Sequence, residues 1–129
     1  MFTIAGKKLA EFPILASLQK VGDLIFFEMP LLTHLKTTDG TNYLELWCDQ
    51  DKSGERSILF AVESAALEAY RNREVTLRNL LESARNGVVH LIERTHKGKK
   101  TMVKELPATN IPAEYRPSRD SYYSPTDLH

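Results

Sequence analysis

The hydrophobic period of this chain changes between Val62 and Ser64, and that change bounds the folds open to it. Before it, apolar residues alternate. Leu44, Leu46 and Cys48 share one side of a segment, and Ile58, Phe60 and Val62 share one side of the next. A period of two marks a strand with one buried face. After it, Leu77, Leu80, Leu81 and Ala84 recur at i, i+3, i+4 and i+7, which is one face of a helix. Strands, then two short helices, then a closing hairpin predict an α+β fold built on an antiparallel β-sheet of five to six strands.

The individual elements follow from the same pattern. Leu24–Phe27 is an apolar run that favours a strand, preceded by a turn at Gly22-Asp23. Pro30 interrupts it, and a second strand is expected over Leu31–Lys36. Asp39-Gly40 predicts a tight hairpin into Thr41–Cys48, because Gly accepts the positive φ such turns need. Asp49–Glu55 reads as a polar loop before the strand Ser57–Val62. Ser64 and Thr76 are expected to cap the two helices, and Asn86-Gly87 to end the second. Val88–Ile92 and Thr101–Leu106 then form the last strand pair. Leu46, Phe60, Leu77 and Leu81 are expected in the core.

A chain of 129 residues calls for one hydrophobic core. The expected division is a single domain over 1–117 and an irregular or flexible tail over 118–129, where Pro107, Pro112, Pro117 and Pro125 break any long element. Seventeen basic residues balance 17 acidic ones, so no net field draws the chain to nucleic acid or an anionic membrane. Its single cysteine, Cys48, rules out an intramolecular disulfide framework and favours a reducing compartment. Met1–Phe12 lacks the apolar stretch of a secretory signal, and no apolar run reaches the roughly 20 residues of a membrane span. A cytoplasmic location without membrane contact is therefore expected.

Pro30-Leu31-Leu32, Asp39-Gly40 and Tyr43-Leu44-Glu45-Leu46-Trp47-Cys48-Asp49-Gln50-Asp51 together resemble an uncharacterised bacterial domain family. That family's core reads P-L-L, a D-G turn, then Y-L-x-L-W-x-D-x-D. Ser57–Val62, Ser64–Tyr70, Glu74–Asn79 and Ile111–Pro117 are similar to its later segments in order and spacing. Thr33, Glu45 and Arg116 depart from its pattern, and the basic hairpin at 94–104 has no counterpart in it. The resemblance implies the fold and leaves the function open; the source expected is a bacterium or a phage.

No catalytic set stands out. Asp49 and Asp51 lie two apart at a strand end, which suits a divalent cation or a small hydrolase, but the loop lacks the further ligands of a calcium site and carries Lys52. His34, His90, His96 and His129 are scattered without ligand spacing, so no metal and no cofactor is expected. Cys48 falls on the core side of its strand, where a thiol behaves as a small hydrophobe. Two surfaces remain. Tyr43, Trp47, Tyr115, Tyr122 and Tyr123 are aromatics with polar tips, the residue type that anchors protein interfaces. Arg94, Lys97, Lys99, Lys100 and Lys104 concentrate positive charge on one hairpin that suits phosphates.

The first expectation is accordingly a non-catalytic protein-interaction or regulatory module, binding another protein or a second copy of itself. A nucleic-acid-associated accessory protein using the 94–104 hairpin is the alternative. A hydrolase built on Asp49 and Asp51 comes third.

Overall fold

The computed structural model describes residues 7–8, 17–27, 29–95 and 101–124. Asp39-Gly40 reverses the chain as expected, with Gly40 at φ 91°. The Asp39 carboxylate holds the turn by accepting from the Thr37 hydroxyl and from the Thr41 N–H and hydroxyl at 3.2 and 3.0 Å. Those donors, Thr37 foremost, keep its carboxyl below the usual carboxylate range.

Around this turn, β3 (Met29–Lys36) and β4 (Asn42–Asp51) pair antiparallel, with Thr33 opposite Glu45 and Leu35 opposite Tyr43. On either side lie β2 (Gln19–Phe27) and β5 (Gly54–Val62). Beyond β5 follow β6 (Val88–Thr95), β7 (Thr101–Pro107) and the two-residue β1 (Lys7–Lys8). The order is β1-β7-β6-β5-β4-β3-β2, and every neighbouring pair is antiparallel. The α+β fold holds, with a short β1 added to six longer strands.

Between β5 and β6 come α1 (Ser64–Arg71) and α2 (Leu77–Glu82). Thr76 caps α2 in a reciprocal box with Asn79. Four local expectations are corrected. Gly22-Asp23 is not a turn: both residues lie inside β2, opposite His34 and Thr33. Asp49–Glu55 is not a loop: β4 runs to Asp51, and the chain turns at Lys52-Ser53 into β5. Asp51 stabilises that turn by accepting from the Ser53 N–H and hydroxyl at 2.8 and 2.7 Å. Gly54 permits it, since at φ 155° an added Cβ would lie 2.1 Å from the Arg94 carbonyl oxygen. Ser64 does not cap α1, whose N-cap is Glu63; its hydroxyl instead accepts from Asn42 Nδ2 at 2.9 Å. Asn86-Gly87 lies in a separate turn, Arg85–Gly87, after α2 has ended at Glu82.

Alternation along the strands creates two faces. Leu44, Ile58, Phe60 and Val89 point to the face covered by Leu67 and Tyr70 of α1 and by Leu77, Leu80 and Leu81 of α2. Leu46 packs half-buried at the margin of this cluster. On the opposite face Leu59, Ile92 and Val103 form a smaller buried cluster, with Leu18, Leu35 and Tyr43 against it. Past Pro107 the chain makes 3-10 turns at Ala108–Asn110 and Ala113–Tyr115, and Ala108 and Ile111 join the helix-side core. No helix among the described residues is long and apolar enough to cross a membrane.

Phe60 is fully buried at the centre of the helix-side cluster. Phe60→Ala is expected to cost about 3–5 kcal/mol, and Leu46→Ala less. Urea unfolding checks both, as a shift of midpoint at unchanged slope.

Candidate functional site

The most buried charge in the described residues sits where alternation would place an apolar side chain. Arg56 shares a face with Ile58 and Phe60, and Glu93, directly opposite it on β6, shares that face with Leu91. Their side chains are 7% and 1% exposed. Arg56 Nε donates to Glu93 Oε2 at 3.2 Å. Its other nitrogens reach Asp49 Oδ2 at 3.4 Å, Asp51 Oδ2 at 3.1 Å and Ser53 Oγ at 3.2 Å. A register shift between Trp47 and Asp49 brings Asp49 opposite Arg56. From the tail, the Tyr115 hydroxyl donates to Asp49 Oδ2 at 3.3 Å. The Ser53 hydroxyl and N–H, then Arg56, push Asp51 down to about 2.

The paired carboxylates of the hydrolase reading are thus occupied by a guanidinium, a serine and a tyrosine. Among the described residues, no group of three or more His, Cys, Asp or Glu side chains is placed to hold a metal. Sequence reasoning missed Arg56 and Glu93. The available signal was two opposite charges, each in the apolar phase of its own strand.

Cys48 packs against the helix-side core and donates to the Leu46 carbonyl at 3.3 Å. Burial pushes its thiol up to about 12, far from a thiolate nucleophile. His34 is buried between strand and helix: its Nε2 donates to Asn42 Oδ1 at 2.9 Å, and Arg71 donates to its Nδ1 at 3.4 Å. His90 lies on the opposite face with Nε2 3.3 Å from Glu105 Oε2. The two line an open cleft of about 390 Å³ with Asp39, Tyr43 and Arg85. His96 and His129 fall outside the described residues.

The five aromatics do not form one surface. Tyr43 packs on the small cluster of the opposite face, and Trp47 lines a second cleft there, of about 210 Å³, with Met29, Glu45 and Arg94. Trp47 Nε1 is buried and has no hydrogen-bond partner among the described residues. Tyr115 and Tyr123 pack on the helix-side core, while Tyr122 is exposed beside Arg73, whose guanidinium lies 6.0 Å from its ring centre.

Of the basic hairpin, two of the five candidate residues, Arg94 and Lys104, are described. Arg94 Nη1 donates to Glu45 Oε2 at 2.7 Å and to Ser57 Oγ at 3.4 Å on the opposite face. Lys104 stands across from Leu91, so its position belongs to the helix face. Lys97, Lys99 and Lys100 lie outside the described residues.

Among the described residues, the most exposed large hydrophobic side chains lie instead on β2, at one end of the sheet order. Val21 is 56% and Phe26 55% exposed. No family model matches this chain, and no curated protein or solved structure matches it either.

Two outcomes follow from the buried groups. Arg56→Ala strands Glu93 without its cation and is expected to destabilise by about 3–5 kcal/mol, whereas the paired change Arg56→Met with Glu93→Leu costs much less. Thermal melts of the single and double variants decide this. Burial holds His90 below its ordinary value, and Glu105 offsets this in part. The unfolded chain therefore takes the proton more readily, so this contribution to stability is full above about pH 6.5 and is lost as pH falls. Stability measured from about pH 7 to pH 5 is expected to decline less in His90→Gln than in the unaltered chain.

Proposed function

We propose that this chain is a non-catalytic protein-interaction module that takes an extended segment of its partner along the outer edge of β2. The observation that carries this reading is Val21 and Phe26, both more than half exposed on a nine-residue strand that ends the sheet. Among the described residues no strand pairs with the far side of β2, so its outward N–H and C=O groups can extend the ladder. Register shifts interrupt β2 between Lys20 and Gly22, between Asp23 and Ile25, and between Ile25 and Phe26. Such irregularities discourage indiscriminate edge pairing, which leaves Val21 and Phe26 to select the partner.

The chemistry of the interior supports the same reading. The Cys48 thiol is held protonated, and Arg56 and Arg94 are engaged by carboxylates of the chain itself. Cys48 as the lone thiol fits a reducing compartment, and the motif order resembling a bacterial family fits the cytoplasm of a bacterium or of a phage-infected cell.

The test compares the unaltered chain with Val21→Lys combined with Phe26→Asp. Both sites are exposed, so stability is expected to change by no more than about 0.5 kcal/mol each. A complex, with a partner or with a second copy, that forms with the unaltered chain and is lost in the double variant supports the proposal. A complex that survives the double variant, or the absence of any complex in sedimentation and in capture from the source cells, overturns it.

A further inference from the structure

On the sheet face away from the helices, four neighbouring strands line the cleft of about 390 Å³ with Tyr43 of β4, Ala61 of β5, Val88 and His90 of β6, and Glu105 of β7. Their registers bring them together. Tyr43 stands opposite Ala61, Leu59 opposite His90, and His90 opposite Glu105. Residues two apart share a face, so all five point the same way. Two turns add the remaining charges: Asp39 comes from the hairpin between β3 and β4, and Arg85 from the turn before β6. The volume falls within the range of small-molecule sites.

The charges around the cleft do not neutralise one another. The Asp39 carboxylate takes the Thr37 hydroxyl and the Thr41 N–H and hydroxyl all on Oδ1, so none of these donors occupies Oδ2. Arg85 meets a carboxylate through Nε alone, 3.5 Å from Oε1 of Glu63, which does not line the cleft. Its Nη groups have no partner among the described residues. Glu105 faces the His90 ring at 3.3 Å, and burial holds His90 below its ordinary value, so at neutral pH the ring brings no charge to that carboxylate. Tyr43 lies within reach of both turn charges: burial raises its hydroxyl above the ordinary value, Arg85 lowers it and Asp39 raises it. The lining thus offers two carboxylates and one guanidinium. Its complement carries two cations and one carboxylate.

We propose that this cleft binds a free basic amino acid, with the α-carboxylate on the Arg85 guanidinium, the α-ammonium at Asp39 and the side-chain ammonium at Glu105. The paired Nη groups suit a carboxylate, which can accept two parallel hydrogen bonds from them. Ala61 and Val88, on the two strands between β4 and β7, give the methylene chain an apolar bed. None of the lining residues belongs to β2, so this reading stands apart from the one made for that edge.

The test titrates L-lysine into the isotope-labelled full-length chain and follows its amide signals. Those of Tyr43, Ala61, Val88 and Glu105 are expected to shift while those of Val21 and Phe26 stay, with a Kd at or below about 1 mM. L-Norleucine lacks only the side-chain ammonium, and cadaverine lacks only the carboxylate. Each is expected to bind at least about fivefold more weakly, the scale of one partly exposed ion pair. Arg85→Gln and Glu105→Gln should weaken lysine by a similar factor, and both side chains are roughly half exposed, so the fold tolerates the change. Glu105→Gln should also bring lysine and norleucine to equal affinity, which structural damage would not do. The absence of these shifts at about 10 mM lysine overturns the proposal. Norleucine binding the unaltered chain as tightly as lysine, or lysine binding undiminished in both variants, overturns it too.

Discussion

The Arg56–Glu93 pair is the interaction on which the rest of the architecture turns. Burying a guanidinium and a carboxylate costs several kcal/mol per ion unless geometry and further hydrogen bonds offset it. Here the offset falls on the Arg56 side and comes from the adjacent turn, braced by the tail, while Glu93 Oε1 is buried with no hydrogen-bond partner among the described residues. Asp49, Asp51 and Ser53 arrive from the turn joining β4 to β5, and Tyr115 reaches Asp49 from beyond the sheet. The turn, the middle of the sheet and the start of the tail are thereby positioned together. Gly54 belongs to the same constraint, since only a residue without Cβ lets that turn close against the Arg94 carbonyl.

A second polar chain ties the helices to the sheet. Arg71 of α1 donates to His34 on β3, His34 donates to Asn42 on β4, and Asn42 donates to Ser64 at the start of α1. Every link has a donor and an acceptor if His34 is neutral with its proton on Nε2. Helices of eight and six residues are too short to persist alone, so they depend on this anchoring, on Leu67, Tyr70, Leu80 and Leu81, and on capping. Thr76 satisfies one N–H at the start of α2, and the tail satisfies two more through Ser121. The segment after Pro117 thus completes a helix terminus.

Legibility in the sequence followed the range of the interaction responsible. Asp39-Gly40, the alternation over Tyr43–Cys48, the Thr76 cap and the apolar stripe Leu77, Leu80, Leu81, Ala84 are local signals, and each has its place in the structure. Asp49–Glu55 misled because its composition is that of a loop. A seven-residue polar stretch becomes strand and tight turn only when Arg56, buried by its cross-strand partner Glu93, draws in Asp49 and Asp51. Ser64 misled for a related reason: Asn42, 22 positions earlier, takes the hydroxyl that local spacing assigned to the helix end. The scattering of Tyr43 and Trp47 from Tyr115 and Tyr123 is likewise a property of opposite sheet faces, which composition does not carry.

The distribution of charge bears on the recognition proposed for this domain. Its conspicuous guanidinia at the sheet, Arg56 and Arg94, face carboxylates of the same chain, so little of their charge remains to steer a phosphate or an acidic partner. With basic and acidic residues equal in number, long-range attraction is weak as well. Val21 and Phe26 on β2 are apolar and exposed, so the contact proposed there would rest on shape and main-chain hydrogen bonding. Arg73 and Arg116 are used differently, each gripping carbonyl oxygens of the chain rather than meeting an opposite charge. Association through surfaces of this kind is governed by apolar area and main-chain register, on which screening by salt has little hold.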